Sequence, residues 1–325
     1  MFEFLIKKLK AHPRKIVFTE GTDPRILEAS ARLLSGTFLT PVLVGNPEEV
    51  QKVAEEIGFN IRGAEIIDPE TFADMDKMVA TMVELRKGKM TEEQCRAALK
   101  QGNYFGTMLV KMGYADALLG GATYSTADTV RPALQIIKTK PGSKIVSSCF
   151  ILVRPSATGD REVLAMGDCA INIKPTEDEL VEIALETAAT AKVFGIDPKI
   201  AFLSYSTMGS GKGEDVDKMR NAFQKAHAAA PELAMEGELQ FDAAVSPTVA
   251  HTKCPNSTVA GHANTFIFPD SNAGNIGYKI CQRMGSFDAY GPILQGLNAP
   301  INDLSRGCNA QEVYSMAIIT AGLVD

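Results

Sequence analysis

The stretch IVFTEGTDP, residues 16–24, decides the class of the fold. Residues 16–20 form a short apolar-led run bounded by glycine, the pattern of a buried strand. Gly21 and Thr22 turn the chain, Asp23 stands at the N-cap, and Pro24 takes the first helical position. A strand that feeds directly into a capped helix is one step of an alternating α/β chain.

The same alternation extends in both directions. Strands are expected at 41–45, 64–67 and 115–121, the last (ADALLGG) ending in two glycines. Thr91 and Gln94 form a capping box that starts a helix, and 123–138 is helical. From about Lys144 the texture changes: strand-like runs 144–153 and 162–173 are joined by a Pro/Ser/Gly loop, as in a hairpin. Thr176 and Glu179 cap a long helix that ends at Gly195. A strand 200–205, a Gly/Ser loop, a helix 214–229, strands 238–245 and 265–269 and a helix 275–284 follow. The final helix, 310–321, is too short to make a domain and is expected to rejoin the first half. The expected domains are therefore 1–143 plus 298–325, and an inserted 144–297, with a substrate cleft between them.

Bulk properties narrow the function. A chain of 325 residues exceeds one ordinary core, and 45% hydrophobic with 22% charged residues is a globular composition. A net charge of −6 argues against nucleic acid as a partner. Phe2, Leu5, Ile6 and Leu9 fall at helical spacing with lysines opposite, giving a short amphipathic helix packed on its own domain. No apolar run approaches the roughly 20 residues that span a bilayer, so no membrane is expected. Cys95, Cys149, Cys169, Cys254, Cys281 and Cys308 form no CxxC pair, and the four histidines show no ligand spacing. Reduced thiols, a cytoplasmic location and no metal are the expectations. No GxGxxG follows a strand, so a dehydrogenase reading has no cofactor loop.

Chemistry concentrates near the C-terminus, in PINDLSRGCNAQEVY, residues 300–314. Ser305, Arg306 and Gly307 lie just before a helix start, where free N–H groups and the dipole favour an anion. Arg306 adds a fork of donors suited to phosphate. Asn309 and Glu312 have the spacing of a capping box, which is the plain reading of Glu312. Ser125, Thr126 and Arg131 follow a strand that ends in Gly-Gly, at the edge where α/β sheets bind ligands. The loop 206–213 either cradles phosphate with its amides or forms a flexible rim; it is not a P-loop, because Gly213 follows Lys212. Residues 275–279 are expected to open a helix with another anion-friendly start.

These segments resemble the phosphate acetyltransferases, in order and over essentially the whole chain. The resemblance rests on NDLSRGC (302–308), GGATYSTADTVRPALQIIK (120–138), LSYSTMGSGKG (203–213), GELQFDAA (237–244) and FIFPDSNAGNIGYK (266–279). It implies reversible transfer of an acetyl group between coenzyme A and phosphate, with coenzyme A a substrate and no cofactor. It also implies two α/β/α domains like those of isocitrate and isopropylmalate dehydrogenases, a site in the cleft between them, and a homodimer. Carried over residue by residue, it makes Ser305 the donor to the oxyanion, Arg306 the phosphate ligand and Glu312 the general base. Family members commonly carry Asp at the Glu312 position, and Lys where Met208 stands. Arg86 and Arg131 match active-site arginines, and Tyr278, Lys279 and Cys308 join Ser125 and Thr126 among the substrate contacts. Direct transfer in a ternary complex is implied rather than an acyl-Cys308. The alternatives are a butyryl-preferring enzyme and a non-catalytic acetyl-CoA-sensing domain.

Overall fold

A computed structural model describes residues 2–156 and 160–324. The element order is α1 (Glu3–Ala11), β1 (Arg14–Phe18), α2 (Pro24–Gly36), β2 (Leu39–Val44), α3 (Pro47–Glu56), β3 (Glu65–Ile67) and α4 (Met75–Arg86). Then come α5 (Glu92–Ala98), α6 (Gly102–Lys111), β4 (Ala117–Gly120) and α7 (Thr126–Pro132), which continues as a π-helical turn, Ala133–Ile137. The middle of the chain holds β5 (Ser147–Pro155), β6 (Arg161–Gly167), α8 (Glu177–Val193), β7 (Lys199–Leu203), α9 (Glu214–Ala229) and β8 (Ala234–Leu239). It ends with α10 (Phe241–Val245), α11 (Pro247–Lys253), β9 (Thr265–Ile267), α12 (Ser271–Met284), β10 (Asp288–Gln295), β11 (Ile301–Asp303) and α13 (Ala310–Gly322). The chain is α/β and divides into two compact units, Met1–Pro141 with Leu297–Asp325, and Gly142–Gly296.

The first unit is built on a five-stranded sheet in the order β11-β4-β1-β2-β3, every pair parallel. An all-parallel sheet must be covered on both faces. On one face Val17 and Leu118 pack against Met78 and Met82 of α4, Phe105 and Met108 of α6, and Ile136 of the π turn. α1, α2 and α13 make the other layer. α1 is the amphipathic helix read from the sequence, with Leu5 and Leu9 buried. Lys8 Nζ donates to the carbonyls of Gly322 (3.0 Å) and Val324 (2.7 Å), placing a cation at the negative end of α13.

The second unit has a mixed six-stranded sheet, β10-β5-β6-β9-β7-β8. β5 and β6 form the expected antiparallel hairpin, whose connecting loop includes residues 157–159, outside the described residues. α8 and α9 bury Ile183, Ala184 and Met219 against Phe202 and Ile267. Phe150, Met166 and Phe266 anchor the other core, with α10 to α12.

Three expectations need correction. Residues 238–245 are not one strand: β8 stops at Leu239, Gln240 N–H donates to Thr207 Oγ1 (2.9 Å), and α10 begins at Phe241. α12 starts at Ser271 rather than Asn275, because the Asp270 carboxylate caps it through the Ala273 N–H (2.9 Å). Tyr278 and Lys279 therefore lie in the middle of a helix, away from any anion-friendly terminus. β6 ends at Gly167; beyond it, Asp168 accepts from the N–H groups of Ala170 (2.9 Å), Ile171 (3.1 Å) and Asn172 (3.0 Å), which ends the ladder.

Candidate active site

In the first unit the connections run one way from β1 through β2 to β3 and the other way to β4 and β11. The carboxyl ends of β1, β4 and β11 are thus neighbours at a switch point, where α/β sheets bind ligands. Three turns meet there: 19–23 after β1, 121–125 after β4, and 304–309 after β11.

The turns are tied by two acids, Glu20 half-buried and Asp303 buried. Glu20 Oε1 accepts from the backbone N–H of Gly121 (3.1 Å) and of Thr123 (3.1 Å), while its Oε2 accepts from Thr19 Oγ1 (2.6 Å). Asp303, 2% exposed, accepts from Thr126 Oγ1 (2.6 Å) and Thr129 Oγ1 (2.6 Å). Burial pushes both carboxyls up, Asp303 to about 6, because their hydrogen-bond donors, hydroxyls on Asp303 and a hydroxyl with two backbone N–H groups on Glu20, offset the desolvation only partly. Tyr124 shares a hydrogen bond with Thr19 Oγ1 (2.8 Å), and burial raises its phenol as well. The paired glycines follow from this crowding. A Cβ on Gly120 would strike Thr19 Oγ1 and Tyr124 OH; Gly121 has φ +95° and sits against Asp303.

Ser305, Arg306 and Gly307 are exposed and form a turn closed by the Cys308 N–H on the Ser305 carbonyl (2.9 Å). The Gly307 N–H donates to Ser305 Oγ (3.3 Å). The capping box of α13 is complete: Asn309 Oδ1 accepts from the Glu312 N–H (2.9 Å), and Glu312 Oε2 from the Asn309 N–H (3.1 Å). Cys308 is 6% exposed, and burial pushes its thiol up to about 11 despite the nearby Arg25. Arg25, on the first turn of α2, reaches into this turn: its Nη1 donates to the carbonyls of Arg306 (2.8 Å) and Cys308 (3.2 Å).

Of the residues named from sequence, Ser305, Arg306, Cys308, Glu312, Ser125 and Thr126 are brought to this edge. Thr126 has its one proton on Asp303, and Ser125 Oγ donates to Asp128 Oδ2 (2.7 Å), so in this arrangement both hold α7 in place rather than offer donors to a ligand. Arg131 lies further along α7, half-exposed and paired with Asp128 (3.1 Å). Arg86 ends α4 beside the π turn; its Nη1 reaches the Gln135 carbonyl at 3.4 Å, and its Nε is buried without a hydrogen-bond partner among the described residues. Tyr278 belongs to the second unit, its ring stacked on Phe150 at 3.9 Å, with the Lys279 ammonium 5.8 Å from the same ring. The loop 206–213 is neither an open cradle nor a loose rim. Buried Glu238 takes its Gly209 N–H (2.7 Å) and Ser206 hydroxyl (2.8 Å). Glu20, Arg25 and Asp303 escaped sequence reading; the available signal was an ionisable residue directly at the end of a strand or on the first turn after it.

This is an α/β protein with an exposed Ser-Arg-Gly turn at a helix start, at the carboxyl edge of a parallel sheet. The chain belongs to the phosphate acetyl/butaryl transferase family, whose profile matches residues 1–321. It is 53% identical to a phosphate acetyltransferase of Bacillus subtilis over 99% of this chain and 98% of that one. A phosphotransacetylase structure from Streptococcus pyogenes superposes with a TM-score of 0.94 at 55% identity, covering 99% of this chain and 97% of the other. A structure named as a 4-hydroxythreonine-4-phosphate dehydrogenase, from Salmonella typhimurium, has a TM-score of 0.56 at 12% identity over 95% of this chain and 99% of that one. That likeness gives the fold alone, and it is the dehydrogenase-like one expected.

Proposed function

We propose that this protein transfers an acetyl group reversibly between coenzyme A and phosphate. The observation that carries the reading is the exposed Ser305-Arg306-Gly307 turn ahead of α13, at the carboxyl edge of the first sheet. Arg306 is matched to the phosphoryl group, a planar fork on a tetrahedral anion. Ser305 Oγ accepts from the Gly307 N–H and so keeps its own proton for the oxygen that becomes negative in transfer. Glu312 takes the proton of the coenzyme A thiol. The thiolate attacks the carbonyl carbon of acetyl phosphate, the tetrahedral oxyanion collapses, the bond between the acyl carbon and the bridging oxygen breaks, and phosphate leaves with the proton that Glu312 returns to it. In reverse, a phosphate oxygen attacks the thioester carbon and the thiolate departs. Glu312 uses Oε2 in the helix cap, which orients the group that acts as base.

An acyl-Cys308 is not needed and is poorly supported. A thiol at about 11 is ionised in about one molecule in ten thousand at neutral pH. Arg86 and Arg131 bind the negative groups of coenzyme A in this reading. The protein works in the cytoplasm as a homodimer. The face of α12 bearing Ile276, Ile280 and Met284, four residues apart and all exposed, supports self-association.

The test is thioester formation from acetyl phosphate and coenzyme A by purified protein, beside Glu312→Gln. Collapse of the rate with folding intact supports the reaction and the base together. A rate that survives keeps the transferase and returns Glu312 to its cap. No thioester from the wild-type protein, with acetyl-CoA still bound, supports the sensing domain, and a higher kcat/KM with butyryl-CoA moves the reaction to the longer chain.

A further inference from the structure

We infer that Arg25 is a positioning residue for this transfer: it fixes the Ser305–Cys308 turn to the turn after β4 and acts on the reaction through Ser305. The inference rests on the reading that Ser305 and Arg306 handle the acyl phosphate.

A guanidinium has five N–H donors in a rigid fork. On Arg25 each has an acceptor. Nε and Nη2 grip the two oxygens of Asp23, at 2.9 and 2.7 Å. Nη2 also donates to the Ala122 carbonyl (2.9 Å), in the turn after β4. Nη1 gives its pair to the carbonyls of Arg306 (2.8 Å) and Cys308 (3.2 Å), in the turn after β11. No donor is left for a substrate anion, which separates Arg25 from Arg306, whose side chain is exposed.

The anchor is firm at its base. Asp23 caps α2 through the Arg25 N–H (2.9 Å), so the guanidinium is held by a carboxylate that is itself fixed to the helix. The turn it holds is weak by itself. Within 305–308 the local bonds are Cys308 N–H to the Ser305 carbonyl and a longer Gly307 N–H to Ser305 Oγ. Ser305 is useful only if Oγ faces the forming oxyanion, and a displacement of about 1 Å costs about 100-fold. A guanidinium bridging residues 122, 306 and 308 supplies the missing constraint. A lysine has a compact ammonium that does not span all of these acceptors.

The experiment is a double-mutant cycle on the full-length protein with Arg25→Ala, Ser305→Ala and both, measuring kcat and both KM values. Arg25→Ala is expected to lower kcat about 30-fold, and Ser305→Ala about 100-fold. KM for acetyl phosphate and for coenzyme A moves less than about threefold in Arg25→Ala, because its donors are already occupied. The double variant is expected within about threefold of Ser305→Ala alone, since Arg25 then has nothing to aim. A multiplicative loss of about 3,000-fold, the product of the two single losses, overturns the inference, as does a higher KM for acetyl phosphate at unchanged kcat. Should Arg25→Ala fail to fold, Arg25→Lys replaces it in the same cycle, with a smaller loss and the same lack of multiplication expected. Wild-type rates in Ser305→Ala would remove the reading of the site itself, and that single variant reports it separately from the cycle.

Discussion

Two turns in this molecule look alike in sequence: residues 304–309, LSRGCN, in the first unit and 206–213, STMGSGKG, in the second. Each follows a parallel strand, is rich in Ser and Gly, carries one cation and lies beside a buried acid. Their acids differ. Glu238, 1% exposed, is pushed up by burial, but Arg220 (2.9 Å) with the Gly209 N–H and the Ser206 hydroxyl outweighs this, and its carboxyl titrates below the ordinary 4.5. Among the described residues Asp303 has only hydroxyl partners, and it is driven up to about 6, with Glu20 raised beside it. In the second unit the Ser206 hydroxyl and the Gly209 N–H of the turn are taken by an acid of the protein. In the first the acids are only partly compensated by their hydrogen-bond donors, and the turn above them keeps its serine and arginine exposed, so that an anionic ligand can supply the counter-charge of the arginine. A Gly/Ser turn is therefore a candidate site only when its donors are unoccupied, which depends on residues far away in sequence.

The largest effect is expected at the exposed turn. Arg306→Ala lowers kcat/KM about 1,000-fold, about 4 kcal/mol of transition-state stabilisation, with the thermal melt little changed. A variant with near-normal kinetics would break the contrast, since the exposed arginine would then have no more function than the occupied turn. The opposite signature is expected at Glu238. Glu238→Ala leaves Arg220 and the Gly209 amide without their acceptor and costs about 3 kcal/mol in urea unfolding, because Arg220 is partly exposed. The folded fraction should keep its kcat. Loss of kcat at unchanged stability would make the second turn functional.

Much of the frame is legible in the chain because its signals are local. The capping boxes at Thr91, Thr176 and Asn309 and the Asp23-Pro24 start all form as their spacing implies. What the chain hides is non-local. β11 is three residues long, and its place beside β4 comes from pairing Ile301 with Leu118 across the sheet. β10 is not among the expected strands; it carries Gly291-Pro292 in its middle, where its pairing with β5 is irregular. In the second turn nothing local tells Ser206 and Gly209 that Glu238 will occupy them. Likewise Arg25 meets Cys308 at a separation of 283 residues.

The two acids also predict opposite pH behaviour. Asp303 titrates at about 6 in the fold and 3.8 when unfolded, so the native state binds the extra proton and stability from this group falls as pH rises from about 4 to 6. The difference of about two units corresponds to about 3 kcal/mol at most, and about 2 is expected once the chain relaxes. Glu238, being depressed, stabilises above 4.5 and loses that contribution as pH falls through its lower native value. Urea unfolding from pH 4 to 7 should show the Asp303 slope in the wild type and not in Asp303→Asn. An identical slope in both would mean that Asp303 carries no strain, and the distinction between the two turns would reduce to exposure.

The smallest effect is expected at Cys308, and it sharpens what the first turn is for. This thiol has the position of a nucleophile, next to Ser305 and Arg306 and ahead of α13, with Arg25 Nη1 3.7 Å from Sγ. Its environment works against that role, because burial raises it first and the carboxylates of Glu312, Asp23 and Glu20 add to the rise that Arg25 opposes. Cys308→Ala removes a small buried side chain and should change kcat less than about threefold, with both substrates still required together. A loss above about 100-fold, or acetate trapped on this cysteine by mass spectrometry after mixing with acetyl phosphate, would transfer the nucleophile from coenzyme A to the protein. The turn would then hold a covalent intermediate, and the exposed serine and arginine would serve two half-reactions instead of one direct transfer.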